Sequence, residues 1–238
     1  MAPTENSTPS ALVDEADGDT IRAWRLADRR DRPEEYLAAI GVSGHLCRAS
    51  FETFDATLPG KGPAFRAVLA HADGRGTKPG VFLYGSAGNG KTHLAVAWVR
   101  KGLLDGKWME NALNPFIPTA ALPGLVPVLW ETVGELLRRA RAACRAADGP
   151  TELALLDPLR RAEVLVLDDI GVKTLSEWGE EFLLAIFDSR HSRKLPTLVT
   201  SNVRPEGLDA VVFERIRSRV LELCEAVEVG GKDMRLAE

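Results

Sequence analysis

Four stretches of the chain are apolar at successive positions, and each stops at a polar or glycine-rich turn. They are Val81 to Tyr84, residues 127 to 132 (PVLWET), residues 162 to 171 (AEVLVLDDIG) and residues 195 to 202 (LPTLVTSN). Short continuous runs of this kind suit strands covered on both faces of a parallel sheet. AVEVGG, residues 226 to 231, reads as a last strand. Between these runs the apolar positions change to a spacing of three and four. Leu94, Ala95 and Trp98 follow Lys91 in this way, as do Trp178, Phe182, Leu183, Ile186 and Phe187, and FERIRSRVLELC over 213 to 224 reads as a further helix, while in GELLRRARAACRAA it is Arg138, Arg141 and Arg145 that keep the helical spacing. Thr174 and Glu177 have the spacing of a capping box at the start of the helix that carries Trp178. Strands alternating with helices predict an α/β fold built on a parallel sheet.

The flanking pattern sets the domain limits. Residues 1 to 18 are rich in Ser, Thr, Pro and acid with almost no apolar content, which predicts a disordered tail. Ile21, Trp24 and Leu26 then interleave with Arg22, Arg25, Arg29 and Arg30, and a second short helix is expected from Pro33 to Gly41. Residues 19 to 49 therefore read as a short, arginine-rich helical arm that either docks a partner or DNA, or lies on the main domain. The main domain runs from 50 to 238, opening with SFETFD and a helix over 64 to 72. Residues 106 to 127 carry Pro115, Pro118, Pro123 and Pro127, and read as a long surface loop.

With 238 residues, 45% of them apolar, the chain can bury a substantial core. A net charge of −4 gives no global nucleic-acid footprint, so contact with DNA must be local. Cys47, Cys144 and Cys224 lie far apart with no CxxC pair, so neither a metal site nor a disulfide is expected. No apolar run approaches the roughly 20 residues of a membrane span, and MAPTENSTPS lacks the features of a signal peptide. The expectation is a cytoplasmic protein that does not contact a membrane.

The chemistry concentrates in residues 80 to 92, GVFLYGSAGNGKT. A strand, a turn spaced GxxxxGKT and a helix make a phosphate cradle: Gly85, Gly88 and Gly90 allow positive φ, so that successive N–H groups face one anion. The nucleotide-binding stretch is Gly85, Ser86, Ala87, Gly88, Asn89, Gly90, Lys91, Thr92 and His93. Lys91 would reach the β- and γ-phosphates and Thr92 would ligate Mg²⁺. Phe51 and Phe54 fit either the core or a place beneath the nucleotide base.

Asp168 and Asp169 end the most apolar strand, where an α/β sheet places a magnesium ligand and a water-activating carboxylate. Asn202 ends the next strand, and its amide suits orienting water or sensing the γ-phosphate. Arg138, Arg141 and Arg145, with Arg139 beside them, form a basic stripe that fits phosphate contact or a solvated face.

Taken in order, GSAGNGKTHLA, VLVLDDIG, LPTLVTSN, ERIRSRV and GGKDMR resemble the AAA+ ATPases, and within them the clade of DnaC-type helicase loaders and IstB transposition helpers. The resemblance begins near GVSGHLCRASFETFD at residue 41. It implies a P-loop fold with a five-stranded parallel sheet in the order 5-1-4-3-2 and helices on both faces. Lys91 and Thr92 become Walker A, Asp168 and Asp169 Walker B, with Mg²⁺ at Thr92 and Asp168, and Asn202 becomes sensor 1. Arg219 becomes an arginine finger acting in trans within a homo-oligomer joined at its nucleotide interfaces, with Arg215 supporting or replacing it. The stripe of Arg138, Arg139, Arg141 and Arg145 falls where the clade contacts single-stranded DNA. Only seven residues follow Gly231, which leaves this sequence no room for a C-terminal helical lid.

The function implied is ATP-dependent loading or remodelling of a replicative helicase on single-stranded DNA, with slow, assembly-dependent hydrolysis. The alternatives are an IstB-like ATPase that directs a transposase, a small-molecule phosphotransferase, and a nucleotide-gated switch with negligible hydrolysis.

Overall fold

A computed structural model describes residues 31–105, 128–171, 175–210, 214–231 and 233. The expected tail, the helix over 19 to 30 and the proline-rich loop of 106 to 127 lie outside these residues. The described elements are α1 (Pro33–Ala39), a 3₁₀ turn (Gly44–Arg48), α2 (Gly62–Ala70), a π turn (His71–Arg75), β1 (Gly80–Tyr84), α3 (Lys91–Leu104) and β2 (Val128–Thr132). They continue with α4 (Val133–Arg145), α5 (Glu152–Arg161), β3 (Val164–Ile170), α6 (Glu177–Arg193), β4 (Thr197–Ser201), a 3₁₀ turn (Pro205–Ala210), α7 (Glu214–Leu223) and β5 (Cys224–Glu228).

The five strands form one sheet in the order β2-β3-β4-β1-β5, every pair parallel, which is the expected 5-1-4-3-2 arrangement. Strand residues alternate between two helical layers, as the pleat requires. Val81, Leu83, Val164, Val166 and Leu198 face α1, α2 and α3 through residues such as Leu37, Val68 and Trp98. Phe82, Leu165, Leu167 and Val199 face α4 to α7 through residues such as Leu136, Leu159, Phe187 and Val220. Covering both faces explains why the strands read as unbroken apolar runs. Tyr36, Leu37, Val42, Cys47 and Ala49 join the first of these cores, so α1 and the turn after it pack directly on the domain.

Two helical features differ from the sequence reading. The helix that carries Trp178 starts at Glu177, and its N-cap is Ser176, whose hydroxyl accepts from Gly179 N–H at 3.3 Å. The expected capping residue, Thr174, lies outside the described residues. Helix α5 was not anticipated: it is short and carries Pro158, but Thr151 caps it by accepting from Ala154 N–H. Its far end is tied down by Arg190, a fully buried arginine on α6. Arg190 donates to Leu159 O, Ala162 O, Pro196 O and Thr197 Oγ1 at 2.7 to 3.0 Å, joining α5 to the start of β4. Burial pushes its pKa down to about 9, so it is still charged at neutral pH. No helix among the described residues is long and apolar enough to cross a membrane.

Candidate active site

The site forms at the carboxyl ends of β1, β3 and β4, where an open parallel sheet splits its connections to opposite faces. After β1 the backbone turns through Gly85, Gly88 and Gly90 at φ of 142°, 70° and 97°, and Gly90 caps α3 in the left-handed region. Residues with a Cβ avoid this conformation, so the glycine spacing fixes the shape of the turn. Lys91 Nζ folds back over it, 2.9 Å from Gly85 O, 2.8 Å from Ser86 O and 3.3 Å from Asn89 Oδ1. These are weak carbonyl and amide partners, which a phosphate chain can replace with charged oxygens.

Beside the turn, one helix and two strands, α3, β3 and β4, contribute to one polar cluster. Thr92 Oγ1, on the first turn of α3, lies 3.3 Å from Asp168 Oδ1, and Thr200 Oγ1 donates to the same oxygen at 2.6 Å. Burial pushes the Asp168 carboxyl up. The Thr200 hydroxyl opposes that shift, Asp169 reinforces it by charge, and Thr92 and Lys91 oppose it further. A half-buried carboxylate next to a threonine hydroxyl and a second carboxylate is a hard-oxygen donor set of the kind that suits Mg²⁺, so the residues fit that ion.

Asp169 has φ of 62°, one of only two such non-glycine residues among those described. For a residue with a Cβ this costs on the order of 1–2 kcal/mol, which surrounding contacts must offset. Asn202 follows β4 immediately and is exposed. Asp168, Asp169, Asn202 and the loop therefore meet at one end of the sheet.

Other residues singled out in the sequence lie elsewhere. His93 Nε2 is 3.0 Å from Ser50 O and 3.1 Å from Thr53 Oγ1, so its imidazole points at the 50–54 turn. Phe51 and Phe54 are buried, and each packs on Phe65, with Phe54 also against His93. Arg219 is held by Asp188 and Glu222, on α6 and α7. Arg215 is exposed one turn earlier on α7.

On α4, Arg138 pairs with Glu135, and Arg139 pairs with Glu131. Arg141 reaches Ser176 Oγ at 3.5 Å and lies 5.8 Å from the centre of the Trp178 ring. Arg145 is exposed in the last turn.

Two residues of the site escaped the sequence reading. Lys61 is buried and donates to Asn89 O behind the turn, while Asn89 Nδ2 donates to Val229 O. Burial lowers the Lys61 pKa, and the charge of Asp233 works against that. Asp233 lies so close to the turn that a Cβ on Gly88 would fall 1.7 Å from its Oδ1. The only sequence signal for this contact was the pairing of PGKG at 59 to 62 with GGKD at 230 to 233, two glycine-lysine turns of unlike position.

No family model matches the chain. Its curated relatives include the replicative helicase loader DnaC of Escherichia coli strain K12, 28% identical over 172 residues that cover 72% of this chain and 62% of the relative. They also include the replicative helicase loader DnaI of Bacillus subtilis strain 168, 23% identical, covering 89% of this chain and 66% of the relative. The chain thus spans about two thirds of the length of these relatives. Among solved structures it is similar to a crystal structure of the DnaC helicase loader, with a TM-score of 0.61 and 21% identity, covering 79% of this chain and 100% of that one. It is also similar to the replication initiator DnaA bound to AMPPCP and single-stranded DNA, with a TM-score of 0.59 and 18% identity, covering 78% of this chain and 50% of that one. The fold is that of the AAA+ P-loop ATPase domains, and the curated relatives are replicative helicase loaders.

Proposed function

We propose that the chain is an ATP-driven loader that acts on a replicative helicase at single-stranded DNA. The observation that carries the reading is the convergence of Thr92 and Thr200 on Asp168 beside a left-handed glycine turn, in a chain whose curated relatives are helicase loaders.

The N–H groups of residues 85 to 92 take the phosphates of ATP, and Lys91 turns from the Gly85 and Ser86 carbonyls to the β- and γ-phosphate oxygens. Thr92 and Asp168 would hold Mg²⁺, which would supply positive charge to offset that of the phosphates. Asp169 accepts a proton from water as the water oxygen bonds to the γ-phosphorus. The bond to the β–γ bridging oxygen breaks, and ADP and inorganic phosphate leave. Asn202 orients that water.

Arg219, with Arg215 in support, serves the nucleotide of a neighbouring subunit, so hydrolysis depends on assembly. The α4 arginines contact the DNA strand.

The test is the ATPase rate per subunit over a range of protein concentrations, with and without single-stranded DNA. The proposal expects a rate that rises with concentration and responds to DNA. A constant rate indifferent to DNA would overturn it.

A further inference from the structure

Strands β3 and β4 pair regularly at Leu165↔Thr197, Val166↔Leu198 and Leu167↔Val199, and the next pair is Ile170↔Ser201. Three steps on β3 match two on β4. Asp168 and Asp169 therefore share a single partner position, Thr200, in a β-bulge with Asp169 at φ of 62°. The backbone ladder is broken at the two carboxylates, and β4 side chains replace it.

Thr200 Oγ1 accepts from Asp169 N–H at 2.9 Å and donates to Asp168 Oδ1 at 2.6 Å. Ser201 Oγ donates to Ile170 O at 2.8 Å, which closes the bulge on its far side. Ser201 O in turn accepts from Gly85 N–H at 3.2 Å, so the same two residues connect the carboxylates to the first glycine of the phosphate turn.

We propose that Thr200 is the positioning residue of this site. Its one hydroxyl fixes the rotation of the Asp168 carboxylate and anchors Asp169 in the left-handed conformation that turns its side chain out of the strand. The inference rests on the nucleotide reading above and deepens it. A hydroxyl is required because one atom must accept and donate at once. Thr200 is completely buried, so water does not replace the hydroxyl when it is removed.

Valine at this position keeps the shape and the strand preference of threonine but loses both hydrogen bonds, whereas serine keeps them. The affinity of a fluorescent non-hydrolysable ATP analogue, titrated in Mg²⁺ and again in EDTA, separates positioning from packing. Wild type binds more tightly in Mg²⁺. In Thr200→Val the EDTA affinity stays within about twofold while the gain from Mg²⁺ falls about tenfold, the scale of one hydrogen bond to a charged group.

Thr200→Ser restores most of that gain, and thermal unfolding shows that both variants are folded. A full Mg²⁺ gain in Thr200→Val, or an equal loss in both variants, would overturn the inference. Wild-type protein that binds the analogue with no Mg²⁺ gain would overturn it too. Wild-type protein that binds no analogue would overturn the nucleotide reading, and this inference with it.

Discussion

Arg219 on α7 donates to the Asp188 carboxylate on α6 at 2.6 Å. Its second nitrogen holds Glu222 at 2.7 Å. The hydrogen bond to Asp188, then that to Glu222, raises the Arg219 pKa, and the cluster is partly open to solvent. The guanidinium is half exposed and held by surface carboxylates, so an incoming phosphate can compete for it, as the proposed finger requires. Arg219→Ala should therefore bind nucleotide as wild type does, while turnover falls by at least about a hundredfold, below the full range known for arginine fingers. Single-turnover and equilibrium-binding measurements on one preparation separate the two. Undiminished turnover would move the finger to Arg215 or remove it.

Lys91 Nζ satisfies two loop carbonyls, Gly85 O and Ser86 O, in the structure. Lys91→Ala removes the lysine that lies over the turn and should abolish ATP binding in titration calorimetry. Wild-type affinity in this variant would mean that phosphate binds elsewhere.

The α4 stripe is not uniformly available. Arg138 and Arg139 are drawn to Glu135 and Glu131, and Arg141 lies over Trp178. If the helix binds single-stranded DNA, replacing Arg138, Arg141 and Arg145 by Gln should flatten the plot of log affinity against log salt by about 2, at roughly 0.7 per phosphate contact. A smaller change would point to arginines kept by their own carboxylates, and no change to a solvated face.

His71 offers a test of stability against pH. Its Nδ1 accepts from Trp98 Nε1–H at 3.2 Å and its Nε2 lies 2.9 Å from Lys78 O, so the neutral ring uses both nitrogens. Burial lowers its pKa from the ordinary histidine value of about 6.5, although the hydrogen bond to Lys78 opposes this. The unfolded chain thus takes up the proton first as pH falls. The contribution of His71 is complete above about 6.5 and declines as pH drops from there toward the lower folded value. Urea unfolding of wild type should lose stability over that window. His71→Gln should show a shallower loss, and an identical slope would assign the effect to other groups.

The sheet was legible because burial on both faces writes itself as runs such as VLVLDD, and the left-handed turn after β1 because its glycines have no substitute. The single-residue lag between β3 and β4 was not legible, since periodicity cannot register one extra residue inside an apolar run. In the sequence Thr200 reads as part of a polar strand end, where Asn202 carries the more distinctive side chain.

Helix α5 is short and carries Pro158 inside it, which weakens its helical pattern in the sequence although Thr151 caps it. The contacts of Lys61 and Asp233 join segments that share no local pattern. Partner arrangements of this sort follow from the path of the whole chain, and short windows of sequence do not contain them.

The bond from Asn89 to Val229 O spans 140 positions of sequence, and β1 lies between β4 and β5 in the sheet. During synthesis the glycine turn leaves the ribosome early, yet both strands that flank it and the carbonyl that steadies Asn89 are translated much later. Long-range parallel pairing of this kind is slow to form. The newborn chain thus carries the glycine motif well before it carries the completed turn, and ATP bound there as proposed would reward only molecules whose β5 has already docked.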